Sequence, residues 1–75
     1  MAKTAKRLVI CLVNAGYEAS LERRKIYVAL SDARAGKLGQ IRVIDESGED
    51  YLYEKDAFLE ISLPQSVRRA VLLAT

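Results

Sequence analysis

The sequence has no histidine and no tryptophan, and only one cysteine and one proline. Each shortage excludes something. Without histidine, the usual general base, metal ligand and pH switch near neutrality are missing. A lone Cys11 excludes an internal disulfide framework and any cysteine-rich zinc site. Cys11 lies inside the apolar run "RLVICLV", with no base or helix N-terminus beside it. It reads as a small buried hydrophobe and not as a nucleophile. Gly36 and Gly39 make no phosphate-binding loop. The expectation is a protein without catalysis, cofactor or metal.

Long apolar runs are missing as well. The stretch 8–13 is six residues. A membrane helix needs roughly 18 residues, and a signal core roughly 7 to 15. The stretch reads as a strand, which predicts a cytoplasmic protein with no membrane partner. A chain of 75 residues makes one domain, 1–75. A domain this small buries only about 60% of its unfolded surface, which favours a small barrel over a two-walled cleft.

Net charge is only +2, but it is unevenly spread. Residues 1–42 hold nine Lys or Arg against three acids, a net of +6. Residues 43–75 hold three against seven, a net of −4.

Lys3, Lys6 and Arg7 form a basic lead, with 1–6 expected to fray. After the strand "RLVICLV", Asn14 and Gly16 tolerate turn geometry. Residues 17–24 read as a long loop with at most one helical turn. A strand follows over 25–30, where Ile26, Val28 and Leu30 alternate with Tyr27 and Ala29. One helix over 18–35 is the competing reading, and the cluster at 26–28 argues against it. In "SDARAGKLG", Ser31 or Asp32 caps a single helical turn and Gly36 closes it.

The segment "IRVIDESGEDYLYEKDAF" reads as a hairpin. Asp45 suits the first position of a type I turn and Gly48 the fourth. With Gly48 left-handed, a bulged loop pairs Val43 with Tyr51 and Ile41 with Tyr53. One face then holds Ile41, Val43, Tyr51 and Tyr53, and the other is mixed, with Arg42, Ile44, Asp50, Leu52 and Glu54. A two-residue turn would pair Val43 with Leu52 and sort the faces less cleanly. "FLEISL" gives a last strand. Pro64 opens a helix over 64–74, with Val67, Ala70, Val71 and Ala74 at helical spacing. That helix is expected over an open end, or over the mixed face where Ile44 and Leu52 need cover.

The order is five short strands and a terminal helix, a mainly β chain. Closing the strands into a barrel would remove costly edges. The spacing resembles SH3-like small barrels. "GYEASLERRKIYVALSD", "GQIRVIDESGEDYLY" and "LPQSVRRAVLLAT" resemble a group of short, uncharacterised bacterial proteins of that kind. The resemblance spans roughly 9–73 and implies a five-stranded barrel, with no activity attached. It does not imply polyproline binding: there is no Trp, and Tyr17 is the sole aromatic of the first long loop.

Asp45, Glu46, Glu49 and Asp50 form an acidic contact turn. They do not make a calcium loop, because Leu52 and Tyr53 interrupt the alternating oxygens. The turn is expected to be solvated, with Asp45 facing Glu49 as like charges. The interaction surface is expected at Tyr17, Arg23, Arg24, Lys25, Ile44 and Leu52. Its partner would be another protein, or a second copy in a homodimer. RNA bound through the basic loop 22–25 is the alternative.

Overall fold

The computed structural model describes residues 6–73. Its elements are β1 (Lys6–Cys11), β2 (Ile26–Leu30), α1 (Ala33–Lys37), β3 (Gln40–Ile44), β4 (Asp50–Glu54), a 3₁₀ turn (Lys55–Ala57), β5 (Phe58–Ile61) and α2 (Gln65–Leu73). The five strands form one antiparallel sheet in the order β4-β3-β2-β1-β5. The mainly β expectation with a terminal helix holds. Lys6, expected to fray, starts β1 and pairs with Leu30. Lys3 lies outside the described residues.

The alternative helix over 18–35 does not form. Ile26 and Val28 pair with Ile10 and Leu8 in a ladder, where their branched side chains fit the pleat. The long loop keeps one helical turn, with Leu21 N–H donating to Tyr17 O at 2.9 Å. In the connector, Asp32 is the cap, and its Oδ1 accepts from Ala35 N–H at 3.0 Å. Gly36 sits inside α1 and does not close it. Gly39, at φ 73°, makes the left-handed step into β3.

The sheet is not closed into a barrel. Among the described residues no ladder joins β4 to β5. The 3₁₀ turn redirects β5 onto β1, where Phe58 faces Cys11 and Ile61 faces Leu8. The two edges meet only through side chains, the Tyr53 and Phe58 rings lying 6.0 Å apart.

The hairpin forms in the expected register, Ile41 facing Tyr53 and Val43 facing Tyr51. Gly48 N–H donates to Asp45 O at 3.0 Å, and Gly48 has φ 84°. A Cβ there would meet nothing within 4 Å, so a substitution suffers from conformation and not from a clash. Gly48→Val is therefore expected to cost about 1–2 kcal/mol. A lowered urea midpoint checks this, and an unchanged midpoint contradicts it.

Side chains alternate across a strand, so the registers sort the sheet into two faces. The core face brings together Val9, Cys11, Tyr27, Ala29, Ile41, Val43, Tyr53 and Phe58, with Leu21 of the long loop packed on top. The second face carries Leu8 and Ile10, Ile26 and Val28, Ile44, Leu52, and Leu59 and Ile61. It is apolar along β1, β2 and β5 and mixed at β3 and β4, where Gln40, Arg42, Asp50 and Glu54 share it.

The middle of that second face is covered, Leu8 being 2% and Val28 3% exposed, and its two ends are more open. Pro64 lies one position before α2, its carbonyl accepting from Arg68 N–H at 2.9 Å. Val67 and Ala70, expected to be buried, face solvent, while Arg68, Val71 and Leu72 are half-buried. Ala74 lies outside the described residues. Arg68 Nη2 donates to Lys6 O at 2.7 Å, which ties α2 to β1. Ile44 and Leu52 lie on β3 and β4, at the far end of the strand order from β5 and α2, and Leu52 stays 42% exposed.

Candidate functional site

The acidic turn is not the solvated knot that its composition suggests. Asp45 continues the alternation of Ile41 and Val43, so its side chain enters the core, and the residue is only 6% exposed. Its Oδ1 accepts from Ser47 N–H at 2.9 Å and from the Ser47 hydroxyl. Its Oδ2 accepts from the Tyr53 hydroxyl at 2.6 Å. Burial alone would raise the Asp45 pKa, but the bonds from Ser47 and Tyr53 outweigh it and hold the carboxyl below its usual range. The same geometry pushes Tyr53 up to about 12, through burial first and the Asp45 bond second. The opposition of Asp45 and Glu49 is relieved because only Asp45 turns inward. Their backbones pair, Asp45 N–H donating to Glu49 O at 3.1 Å.

Glu46 reaches the other way and fastens the hairpin to the long loop. Its Oε2 accepts from the Tyr27 hydroxyl at 2.6 Å and from Lys25 Nζ at 2.6 Å. Tyr27 Oη in turn accepts from Glu22 N–H at 2.7 Å. Glu46 N–H donates to Ser20 O at 3.0 Å. The Lys25 bond, followed by the Tyr27 bond, lowers the Glu46 pKa, while Lys25 is raised chiefly by the same bond. Asp50 accepts from Arg42 Nη1 at 2.9 Å, and Arg42 Nε donates to Asp32 Oδ2 at 2.9 Å. Three of the four acids thus point at separate partners.

Of the expected interaction residues, Tyr17 meets Tyr53 edge to face at 5.0 Å. A groove of about 330 Å³ lies between Tyr17, Tyr51 and Leu52. A second, of about 160 Å³, brings Lys25 beside Ile44 and Glu46. Arg23 and Arg24 line neither groove and stand exposed at the end of the loop. Arg24 is held at φ 69°, its N–H donating to Cys11 O at 2.7 Å. Nothing in its residue type announces that conformation, which favours Gly or Asn. Cys11 is fully buried and its pKa is raised by that burial. It keeps its proton, as a packed thiol does.

Comparison with protein families, curated proteins and solved structures finds no match to this chain. Among the described residues, no helix is long and apolar enough to cross a membrane.

The apolar second face is the feature that the hairpin alone did not reveal. Leu52 is exposed at the β4 edge, and Leu59, at 56%, is exposed at the β5 edge. Ile10, Ile26 and Ile44 lie half-buried between them. The signal was present in the alternation of each strand, which is apolar on both sides in β1 and β2.

Proposed function

We propose that the chain is a small SH3-like interaction module without catalysis, and that it associates with a second copy through the second face of its sheet. The observation that supports this is the composition of that face. An antiparallel sheet with one solvated face carries polar residues there. Here Ile10, Ile26, Ile44, Leu52 and Leu59 stand on it, with Gln40, Arg42, Asp50 and Glu54 confined to the β3–β4 end.

The strand order argues for a copy of itself as the occupant. Strands β4 and β5 are opposite edges. A two-fold contact with its axis along the strands lays the β4 edge of one copy over the β5 edge of the other. The charges suit the same arrangement. Glu54 lies on β4, where Asp50 is already held by Arg42, while Lys6, Arg68 and Arg69 lie on β1 and α2. Opposite signs meet twice in such a closed dimer. For RNA, the loop offers less than its composition promised, because Lys25 is committed to Glu46 and Glu22.

Light scattering across micromolar to millimolar concentration tests the reading. A mass of twice the 8.4 kDa chain is expected. Leu52→Lys should weaken association at least about tenfold, with circular dichroism unchanged. A mass of 8.4 kDa at every concentration would reject the proposal. So would a Leu52→Lys variant that associates as tightly as the parent.

A further inference from the structure

Arg7 stands on the core face near the start of β1, and its Nη1 donates to Glu60 Oε1 at 3.0 Å. Its Nε–H is shielded from solvent and has no partner among the described residues. A buried donor left unpaired costs on the order of 1–3 kcal/mol, and more when charged. Beside it opens a cavity of about 160 Å³, with Val9, Ile41 and Phe58 among its lining; Arg7, Lys55 and Glu60, together with Gln40 and the Asp32–Arg42 pair, make its polar side. Lys55 forms no ion pair among the described residues. Its own N–H donates to Gly39 O at 3.0 Å, which fixes the turn that carries it.

The chemistry of this corner is specific. With Nη1 held by Glu60, the Nε–H and the neighbouring Nη2–H remain side by side. That pair is the fork a carboxylate accepts in bidentate fashion. Arg7, Arg42 and Lys55 against Asp32 and Glu60 leave one positive charge in excess. The hydrocarbon lining favours an apolar body, and an apolar cavity of about 150 Å³ admits benzene.

We propose that this cavity binds a monocarboxylate with an apolar body of about benzoate size. Its carboxylate sits on Arg7 Nε–H and Nη2–H, and its hydrocarbon lies against Val9, Ile41 and Phe58. A free acid and the C-terminus of a peptide ending in an apolar residue share this chemistry. The cavity lies on the core face, so the proposal stands apart from self-association through the other face.

The test is an NMR titration of the full chain with sodium benzoate and, in parallel, with benzamide. Saturable shifts are expected at the amides of Arg7, Val9, Ile41 and Phe58. Benzamide, which has the same shape without the charge, should bind at least about tenfold more weakly. Arg7→Lys keeps the charge and loses the fork, and should weaken benzoate about tenfold. A leucine-terminated peptide and its C-terminal amide separate the two sources: tighter binding of the free peptide than of benzoate assigns a chain terminus, and weaker binding a free acid. The absence of saturable shifts at tens of millimolar benzoate overturns the proposal. Equal binding of benzamide overturns it too, whatever becomes of the Arg7 variant.

Discussion

Asp45→Ala is expected to cost about 3 kcal/mol of stability, because it removes a buried charged acceptor and strands its donors. Tyr53 Oη donates to it, and the Tyr53 ring is packed between Tyr17 and Phe58. The hydroxyl has no easy route to water from there. Ser47 loses the acceptor of both its N–H and its hydroxyl, so the turn loosens as well. For a domain of this size the loss lowers the melting temperature by roughly 4–8 °C per kcal/mol. Asp45→Asn separates the contributions. The amide oxygen keeps the Ser47 bonds and its NH₂ can donate to the Tyr53 hydroxyl, which must then give up its own donation, so about half the loss is expected. Urea unfolding measures both, and a loss below about 1 kcal/mol for Asp45→Ala would show that the turn is held elsewhere.

The same carboxylate shapes the pH response. Asp45 and Glu46 both have folded pKa values below their usual range. The unfolded chain therefore binds protons first as pH falls, and stability declines through and below the ordinary carboxylate range near about 4. Above that range their contribution is complete. On the alkaline side Tyr53 resists ionisation up to about 12. The unfolded chain releases that proton near about 10, so stability falls again from there upward. Asp45→Ala should make the acid limb shallower, with Glu46 keeping part of it. Tyr53→Phe should make the alkaline limb shallower, with Tyr27, also raised by burial and its bond to Glu46, keeping part of it, and should leave most of the acid limb.

The hairpin was legible because its information is local. Alternation over Ile41–Ile44 and Asp50–Glu54, with Gly48 three residues after Asp45, admits one register that sorts the faces. The burial of Asp45 was legible too, since it stands two residues beyond Val43, but turn composition pointed to solvent and hid it. Long-range pairs could not be read. Glu46 finds Tyr27 across nineteen positions, a contact that exists only once the long loop folds back. The charge excess of the turn made sense only when that loop supplied Lys25 and β2 supplied the Tyr27 hydroxyl. Closure failed as an expectation because the short strands announce their edges without saying which partner each edge takes. Strand β5 took β1, and β4 was left with one neighbour.

Leu21→Ala is expected to destabilise the whole domain by about 3 kcal/mol, within the range for truncating a buried leucine. Leu21 is 1% exposed and is the long loop's contribution to the cluster around Val9, Val43 and Phe58. The site has little freedom to collapse into the void. Leu21 N–H donates to Tyr17 O at 2.9 Å, and Leu21 O accepts from Asn14 Nδ2 at 3.0 Å. The backbone is held on both sides, so the cavity persists. Leu21→Met, nearly equal in volume, should cost less than about 1.5 kcal/mol. Two outcomes distinguish a loop that belongs to the core from one that only lies over it. A lowered urea midpoint with an unchanged slope places Leu21 in the cooperative unit. Faster amide exchange confined to residues 12–25, at an unchanged midpoint, would make the loop a separate flap. The first outcome is expected, because the loop is joined to the hairpin through Glu46 at both Lys25 and Ser20. Freeing it would break those bonds, and the core and the acidic turn therefore stand or fall together.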